Sequence, residues 1–427
     1  MHSVAGRQHV LVFEPDSEGH PREWLEHIVA FADAGPERPA VSLVVAADVA
    51  AHLQRQLRTV GGGRVRVLTL RPHERRLCTS RFLTLAAFAR WWLMRRYLRR
   101  TGAQAGHFLS LDHLCVPFAL GLGMGGARIS GILFRPSVHY ATLGVYRPGL
   151  GERLRDLRKT IMYQLMLLNR DVTTVLSLDP YFPPYAVRHY RHGAKLRFIP
   201  DPAYPAKDDV DRAEPAPATA ARRYGLVLFG YLTERKGLLV MLDALARIRP
   251  ATASQIAVTI AGRIEPALRD TVAARVRHIT AVRPGLALRI DDRWLAADEL
   301  DRLVRDSDIV LAPYQRFVGS SGVLLWAARA GLPLLTQDFG LLGRLVRDHG
   351  LGLTTDTTDP ARLAAAIERM IADGPATFVV PRAARSFVST RTATGFASTI
   401  MASLVGGAGE PTPSFSCVNQ PEQNAPT

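Results

Sequence analysis

Cysteine, lysine and long apolar runs are scarce in this 427-residue chain. Its three cysteines, Cys78, Cys115 and Cys417, are odd in number and scattered, which excludes a disulfide framework and a metal site built on paired thiols. That usage reads as a reduced, cytosolic protein. No stretch approaches the roughly 20 uninterrupted apolar residues of a bilayer-spanning helix; the best candidate, residues 116–134, is broken by Arg128 and rich in glycine. The first residues show no basic segment followed by an apolar core, so no secretory signal is expected. Neither an aromatic-rich single-strand platform nor a groove-reading motif is present, and nucleic acid is not an expected partner. Only 4 of the 54 basic residues are lysine, so a lysine inside a motif carries more weight than an arginine would.

What is present is a globular composition, 47% hydrophobic and 22% charged, of a length suited to two or three domains. The net charge of +16 is unevenly spread: residues 1–200 hold 28 basic and 14 acidic side chains, and residues 201–427 hold 26 and 24. A positive field confined to one half predicts a polyanionic partner for that half, such as a phosphorylated substrate or an anionic membrane surface.

In the second half, short apolar runs at 224–230, 256–262, 286–291, 308–313 and 332–336 alternate with segments of helical period such as Leu238, Leu242 and Leu245. Continuously apolar strands between helices predict a parallel sheet covered on both faces, doubly wound and Rossmann-like. The first half repeats the pattern at 9–13, 41–46, 65–70, 107–111, 129–134 and 172–177, interrupted by long basic helices at roughly 81–100 and 152–170. The expected organisation is an α/β domain over 1–200, a Pro- and Ala-rich linker over 201–223 and a second α/β domain over 224–405. The last helices are free to cross back to the first domain. The tail 406–427 has the composition of a disordered segment. Ligands of such sheets bind outside the carboxyl ends of the strands, so a cleft between the halves is the expected site.

Two loops carry the chemistry. GYLTERKG (230–237) follows a strand and opens a helix; a phosphate there would meet free backbone N–H groups, the positive end of a helix dipole, and Arg235 and Lys236. PYQRFVGSSG (313–322) also joins a strand to a helix. Its glycines allow close approach, and its hydroxyls either cap the helix or bind an anion. Paired at one sheet end, the two loops suit a diphosphate.

These loops, with GSSGVLLWAARAGLP (319–333), QDFGLLGRLV (337–346) and HGLG (349–352), resemble the nucleotide-sugar domain of GT-B glycosyltransferases of the family-4 type. The resemblance covers about residues 224–373 and, more loosely, the first half. It implies two Rossmann-like domains facing a cleft, and transfer of a sugar from a nucleoside diphosphate donor to a hydroxyl acceptor with retention, without cofactor or metal. The acceptor is either a lipid-linked or cell-envelope glycan or a small natural product. With the cysteine usage, the expected location is the cytoplasm, peripheral at the membrane if the basic helices bind lipid.

By the resemblance, Gly230, Gly237, Gly319, Ser320, Ser321 and Gly322 bind the donor, with Lys236 and Arg235 stabilising its leaving group. Gly19 and His20 belong to the loop PDSEGHPR (15–22), which closes over the donor. His113 would contact the reacting sugar, and Arg135 and His139 lie at another strand end facing the substrates. Trp294 is a candidate for stacking on the base, with surface packing as its alternative. Two departures stand out. Val318 and Trp326 occupy the positions of the family's paired glutamates, and Tyr231 replaces an arginine, leaving Arg235 to supply that charge. The missing carboxylates give the enzyme reading a rival, a non-catalytic nucleotide-sugar sensor or scaffold.

Overall fold

The computed structural model describes residues 8–17, 21–35, 37–60, 63–134, 136–144, 148–203, 223–319 and 321–405. Gly19, His20, Arg135, Ser320, most of the expected linker and the tail lie outside the described residues. The chain divides into two compact units. One comprises Met1–His139, Pro148–Pro202 and Arg391–Ser414; the other comprises Tyr140–Arg147, Ala203–Thr390 and Phe415–Thr427.

The first unit is a seven-stranded parallel sheet in the order β3-β2-β1-β4-β5-β6-β7. Its strands are β1 (His9–Glu14), β2 (Ala40–Val45), β3 (Val65–Thr69), β4 (Ala105–Phe108), β5 (Arg128–Leu133), β6 (Val172–Ser177) and β7 (Leu196–Phe198). Side chains alternate along a strand, so an element buried on both faces must be apolar throughout. β1 follows this rule: Leu11 and Phe13 enter one core, Val10 and Val12 the other, all at most 1% exposed. The Leu11 core is closed by α3 (Pro72–Cys78), α4 (Leu83–Thr101), α5 (Cys115–Ala119), α6 (Leu150–Leu168) and α7 (Phe182–His189). The Val10 core is closed by α1 (Pro21–Asp33), α2 (Ala47–Val60) and the last helix among the described residues, α16 (Ala393–Val405). α16 presents Phe396, Ala397, Ile400, Met401 and Leu404 to that core, with the Phe396 ring 5.0 Å from Trp24. Burial of each large apolar side chain contributes about 1.5–3 kcal/mol.

The second unit is a six-stranded parallel sheet in the order β10-β9-β8-β11-β12-β13. The strands are β8 (Tyr224–Phe229), β9 (Ile256–Ala261), β10 (Ala287–Asp291), β11 (Ile309–Ala312), β12 (Leu334–Gln337) and β13 (Gly352–Thr355). Between and after them run α8 (Leu238–Leu245), α9 (Pro250–Ala253), α10 (Arg269–Val282), α11 (Ala297–Arg305), α12 (Gly322–Arg329), α13 (Gly340–His349), α14 (Pro360–Asp373) and α15 (Pro381–Ser389). Both sheets are the doubly wound type that their strand patterns predict. In each, the order reverses between the first and fourth strands, β1 and β4 in one and β8 and β11 in the other. A crevice at such a reversal is where open α/β sheets bind ligands.

Some elements differ from the sequence reading. The strand expected at 107–111 is Ala105–Phe108, because Leu109–Leu111 turn into the 3₁₀ segment Asp112–Leu114. The edge strands β7 and β13 are too short and polar to show as apolar runs.

Candidate functional site

The two loops singled out in the sequence follow β8 and β11, which flank the reversal of the second sheet. In the first loop Gly230 (φ 114°) leads through the 3₁₀ turn Glu234–Lys236 to Gly237 (φ 75°), which opens α8. A Cβ on Gly237 would stand 1.8 Å from the Pro313 carbonyl oxygen. Only glycine tolerates both that approach and that backbone conformation. Here the loops touch, and the Gln315 N–H donates to the Arg235 carbonyl at 2.8 Å.

A chain of side chains then crosses from one loop to the other. Half-buried Lys236 donates from Nζ to the Tyr314 hydroxyl at 2.6 Å, and that hydroxyl lies 2.8 Å from Ser321 Oγ. Ser321 is the N-cap of α12, accepting from the Val323 N–H at 3.4 Å. A cation, a hydroxyl pair and a helix N-terminus are thus linked at one sheet end, the combination that favours an anion. Arg235 is exposed, its guanidinium carbon 4.8 Å from the centre of the Phe317 ring.

The second loop is braced from behind. Thr357 Oγ1 donates to the Tyr314 carbonyl at 2.8 Å, and Gln315 Nε2 donates to the carbonyls of Pro313 (2.9 Å) and Thr357 (2.7 Å). Gln337, fully buried, donates through Nε2 to the carbonyls of Phe317 and Phe339. The Leu341 N–H donates to Val318 O at 2.9 Å. Arg316 holds φ 50°, a left-handed conformation rare for an arginine and one that such bracing can sustain. Gly319 is buried and Gly322 partly exposed. Trp326 is 8% exposed within α12, its ring 5.5 Å from the Arg329 guanidinium. A cavity of about 410 Å³ opens farther along the same sheet, beside β9 and β10. Its Arg293 is paired with Asp291 and Glu299, and neither loop lines it.

The reversal of the first sheet carries a separate cluster of charges. Glu14, the last residue of β1, is 1% exposed; one carboxylate oxygen accepts the Asp16 N–H at 2.8 Å. Burial first, and the Asp16 charge second, push this carboxyl up to about 8. Arg90, buried in α4, donates from Nε to the Cys78 carbonyl and reaches both carboxylate oxygens of Asp16 at 3.1 Å. His113 sits on the turn after β4, an exposed position whose ring still packs partly against the protein. Its pKa is lowered by desolvation against the protein and then by the Arg90 charge. Asp112 fixes that turn by accepting the Phe134 N–H at 2.8 Å.

The structure therefore brings together Gly230, Lys236, Gly237, Ser321 and Gly322, with Arg235 beside them, and places His113 at the other unit's strand reversal. His139 is enclosed by the first unit. It is 1% exposed, Nδ1 lies 2.8 Å from the Pro136 carbonyl, and Nε2 lies 2.9 Å from the buried Asp179. Both ring nitrogens thus face partners inside the first unit. Trp294 is 77% exposed after β10. Sequence reasoning assigned nothing to Tyr314, Glu14 or Arg90. Tyr314 stood inside a quoted loop, whereas nothing in the sequence sets Arg90 apart from the other arginines of its helix.

Residues 223–373, which hold both loops, match the family model described as glycosyl transferases group 1. This part of the chain is therefore similar to a glycosyl transferases group 1 domain. A D-inositol 3-phosphate glycosyltransferase of Salinispora arenicola (strain CNS-205) is 31% identical over 183 residues. That stretch is 40% of this chain and 39% of the relative, so the chain spans about two-fifths of the curated relative it matches. Among solved structures, Anabaena HepE in complex with UDP has a TM-score of 0.60 at 16% identity, over 93% of this chain and 99% of that one. An α,α-trehalose-phosphate synthase (UDP-forming) from Burkholderia vietnamiensis has a TM-score of 0.61 at 14% identity, over 93% and 99%. These likenesses show the fold, that of GT-B with two Rossmann-like units.

Proposed function

We propose that the protein is a glycosyltransferase that takes a sugar from a nucleoside diphosphate donor and delivers it, with retention, to a hydroxyl acceptor. The observation that carries this reading is the bridge from Lys236 through Tyr314 to the capped N-terminus of α12, at the strand reversal of the group 1 domain. As the sugar leaves, negative charge grows on the diphosphate. Preorganised cations and N–H groups stabilise it without reorganising, most effectively where water is excluded. We assign that charge compensation to Lys236, Arg235 and the N-terminus of α12, without a resident metal or cofactor. Uridine is the first base to test, since HepE is described with UDP and the trehalose-phosphate synthase as UDP-forming.

The first unit is assigned the acceptor, with His113 as the group nearest the chemistry. A lipid-linked or cell-envelope acceptor, met at an anionic membrane surface from the cytoplasmic side, is favoured by that unit's excess of arginine. Val318 and Trp326, in place of two carboxylates, support a second reading, a non-catalytic nucleotide-sugar sensor.

Thermal stabilisation by UDP and by UDP-sugars tests the binding step. At a ligand concentration of ~100 times its dissociation constant the fold gains about 2.7 kcal/mol. The Lys236→Ala variant is expected to lose that shift while folding normally; an unchanged shift removes Lys236 from the site. Donor hydrolysis or transfer by the intact protein separates enzyme from sensor, because a sensor is stabilised by the donor yet leaves it uncut.

A further inference from the structure

We propose that the outer surface formed by α4 and α6 is a docking face for an anionic phospholipid bilayer, with the apolar ridge of α6 seated among the headgroups. α6 carries Leu150, Leu154, Leu157, Ile161, Leu165 and Leu168, each between 41% and 85% exposed. At 3.6 residues per turn these six fall within about 80° of the helix circumference. The buried Tyr163, Met166 and Leu167 face the opposite way, into the core. The helix thus has two apolar sides, and only one is used by the fold. A soluble surface rarely leaves such a ridge in water without a partner.

The charges of the same helix select the partner. On the helical wheel Arg153 and Arg158 flank the ridge on either side, both exposed, while Glu152 and Asp156 lie toward the protein body. Lys159 is turned inward, donating to Ser137 Oγ at 3.1 Å. Basic flanks beside an apolar ridge match a layer of phosphate over acyl chains. They mismatch a second copy of this chain, which would set arginine against arginine.

α4 extends the surface. It fills the same core as α6, and α5 packs against both, so the outward sides of α4 and α6 belong to one face of the first unit. Phe82, Leu83, Leu85 and Trp92 are between 47% and 70% exposed there. Between residues 71 and 100 there are eight arginines besides Arg90, which is buried against Asp16, and a single acid, Glu74, which is 1% exposed and bound by Arg96 and Tyr97. Exposed tryptophan among basic residues is the composition of a membrane interface. Among the described residues no helix is long and apolar enough to cross a bilayer. The contact is therefore peripheral. It deepens the reading of a membrane-borne acceptor and commits it to a surface.

Flotation of the full-length protein with phosphatidylcholine vesicles, with and without phosphatidylglycerol, tests this directly, and no donor is added. The parent protein is expected to float with the anionic vesicles only. L154E/I161E should lower that partition about 10-fold or more, and R153S/R158S should lower it while weakening its dependence on salt. Both pairs are exposed, and an unchanged far-UV circular dichroism spectrum shows that each variant is folded. Flotation of L154E/I161E equal to the parent, or equal binding of the parent to neutral vesicles, overturns the proposal. So does a parent dimer in sedimentation equilibrium that L154E/I161E dissociates. Stabilisation by UDP, measured on the same samples, reports separately on the transferase reading.

Discussion

The Tyr314 hydroxyl joins two loops through Lys236 and Ser321, the lysine standing 78 positions earlier in the chain. Its ring is 1% exposed, so the aromatic body belongs to the core while one polar atom faces Lys236 and Ser321. Tyr314→Phe keeps the packing and deletes that atom. The stability cost should be about 1 kcal/mol, as for one hydrogen bond. The larger expected effect is on binding: without its acceptor, Lys236 Nζ loses its fixed position, and calorimetric affinity for UDP should fall roughly 5- to 20-fold, a coupling of about 1–2 kcal/mol. Equal affinity in the two proteins would show that the bridge braces the loops without organising the site.

At the scale of elements, the junction of the β8–α8 loop with the β11–α12 loop depends on Gly237. Alanine there would have to adopt φ 75° and move the Pro313 carbonyl, which lies 1.8 Å from the added carbon. Gly237→Ala is expected to destabilise the protein by about 2–4 kcal/mol in urea unfolding with an unchanged slope. A loss below about 0.5 kcal/mol would mean that the loops separate freely. That junction was half legible in the sequence. Strand, glycine and lysine could be read at their spacing, because a chain that runs buried strand, tight turn and helix has few alternatives. The adjacency of β8 and β11 followed from the winding rule. What could not be read depends on side-chain direction. His139 stands just past a strand end, as a substrate contact would, yet the 3₁₀ turn Ser137–Thr142 carries it inward to Asp179. Arg90 looks like its arginine neighbours until the packing of α4 buries it against Asp16.

Across the whole molecule, two buried ionisable groups of the first unit set opposing limits on stability. Burial lowers the His107 imidazole from 6.5 to about 3 and raises the Glu14 carboxyl from 4.5 to about 8. Below 6.5 the unfolded chain takes up a proton at His107 that the folded chain refuses, so stability falls as pH drops toward 3. Between 4.5 and 8 the unfolded chain releases the Glu14 proton while the folded chain keeps it, so stability falls as pH rises through that window. Each effect has a slope of up to about 1.4 kcal/mol per pH unit. They oppose each other from 4.5 to 6.5, and above 6.5 the Glu14 loss acts alone. Glu14→Gln, neutral at every pH, should therefore gain on the parent by about 1 kcal/mol per unit as pH is raised from 6 to 8 in urea titrations. A pH-independent difference would show that Glu14 ionises in the fold as it does in water.

The return of α16 to the first unit has a bearing on how the protein is made. The Trp24 side of the opening sheet is finished by Phe396 and Ile400, and Ser130 receives its hydrogen bond from Ser403. On the ribosome these partners are translated after every strand of the second sheet. The half synthesised first must then wait, with part of its core uncovered, until the second sheet has been made, while the later half can complete its own sheet without help from the earlier one.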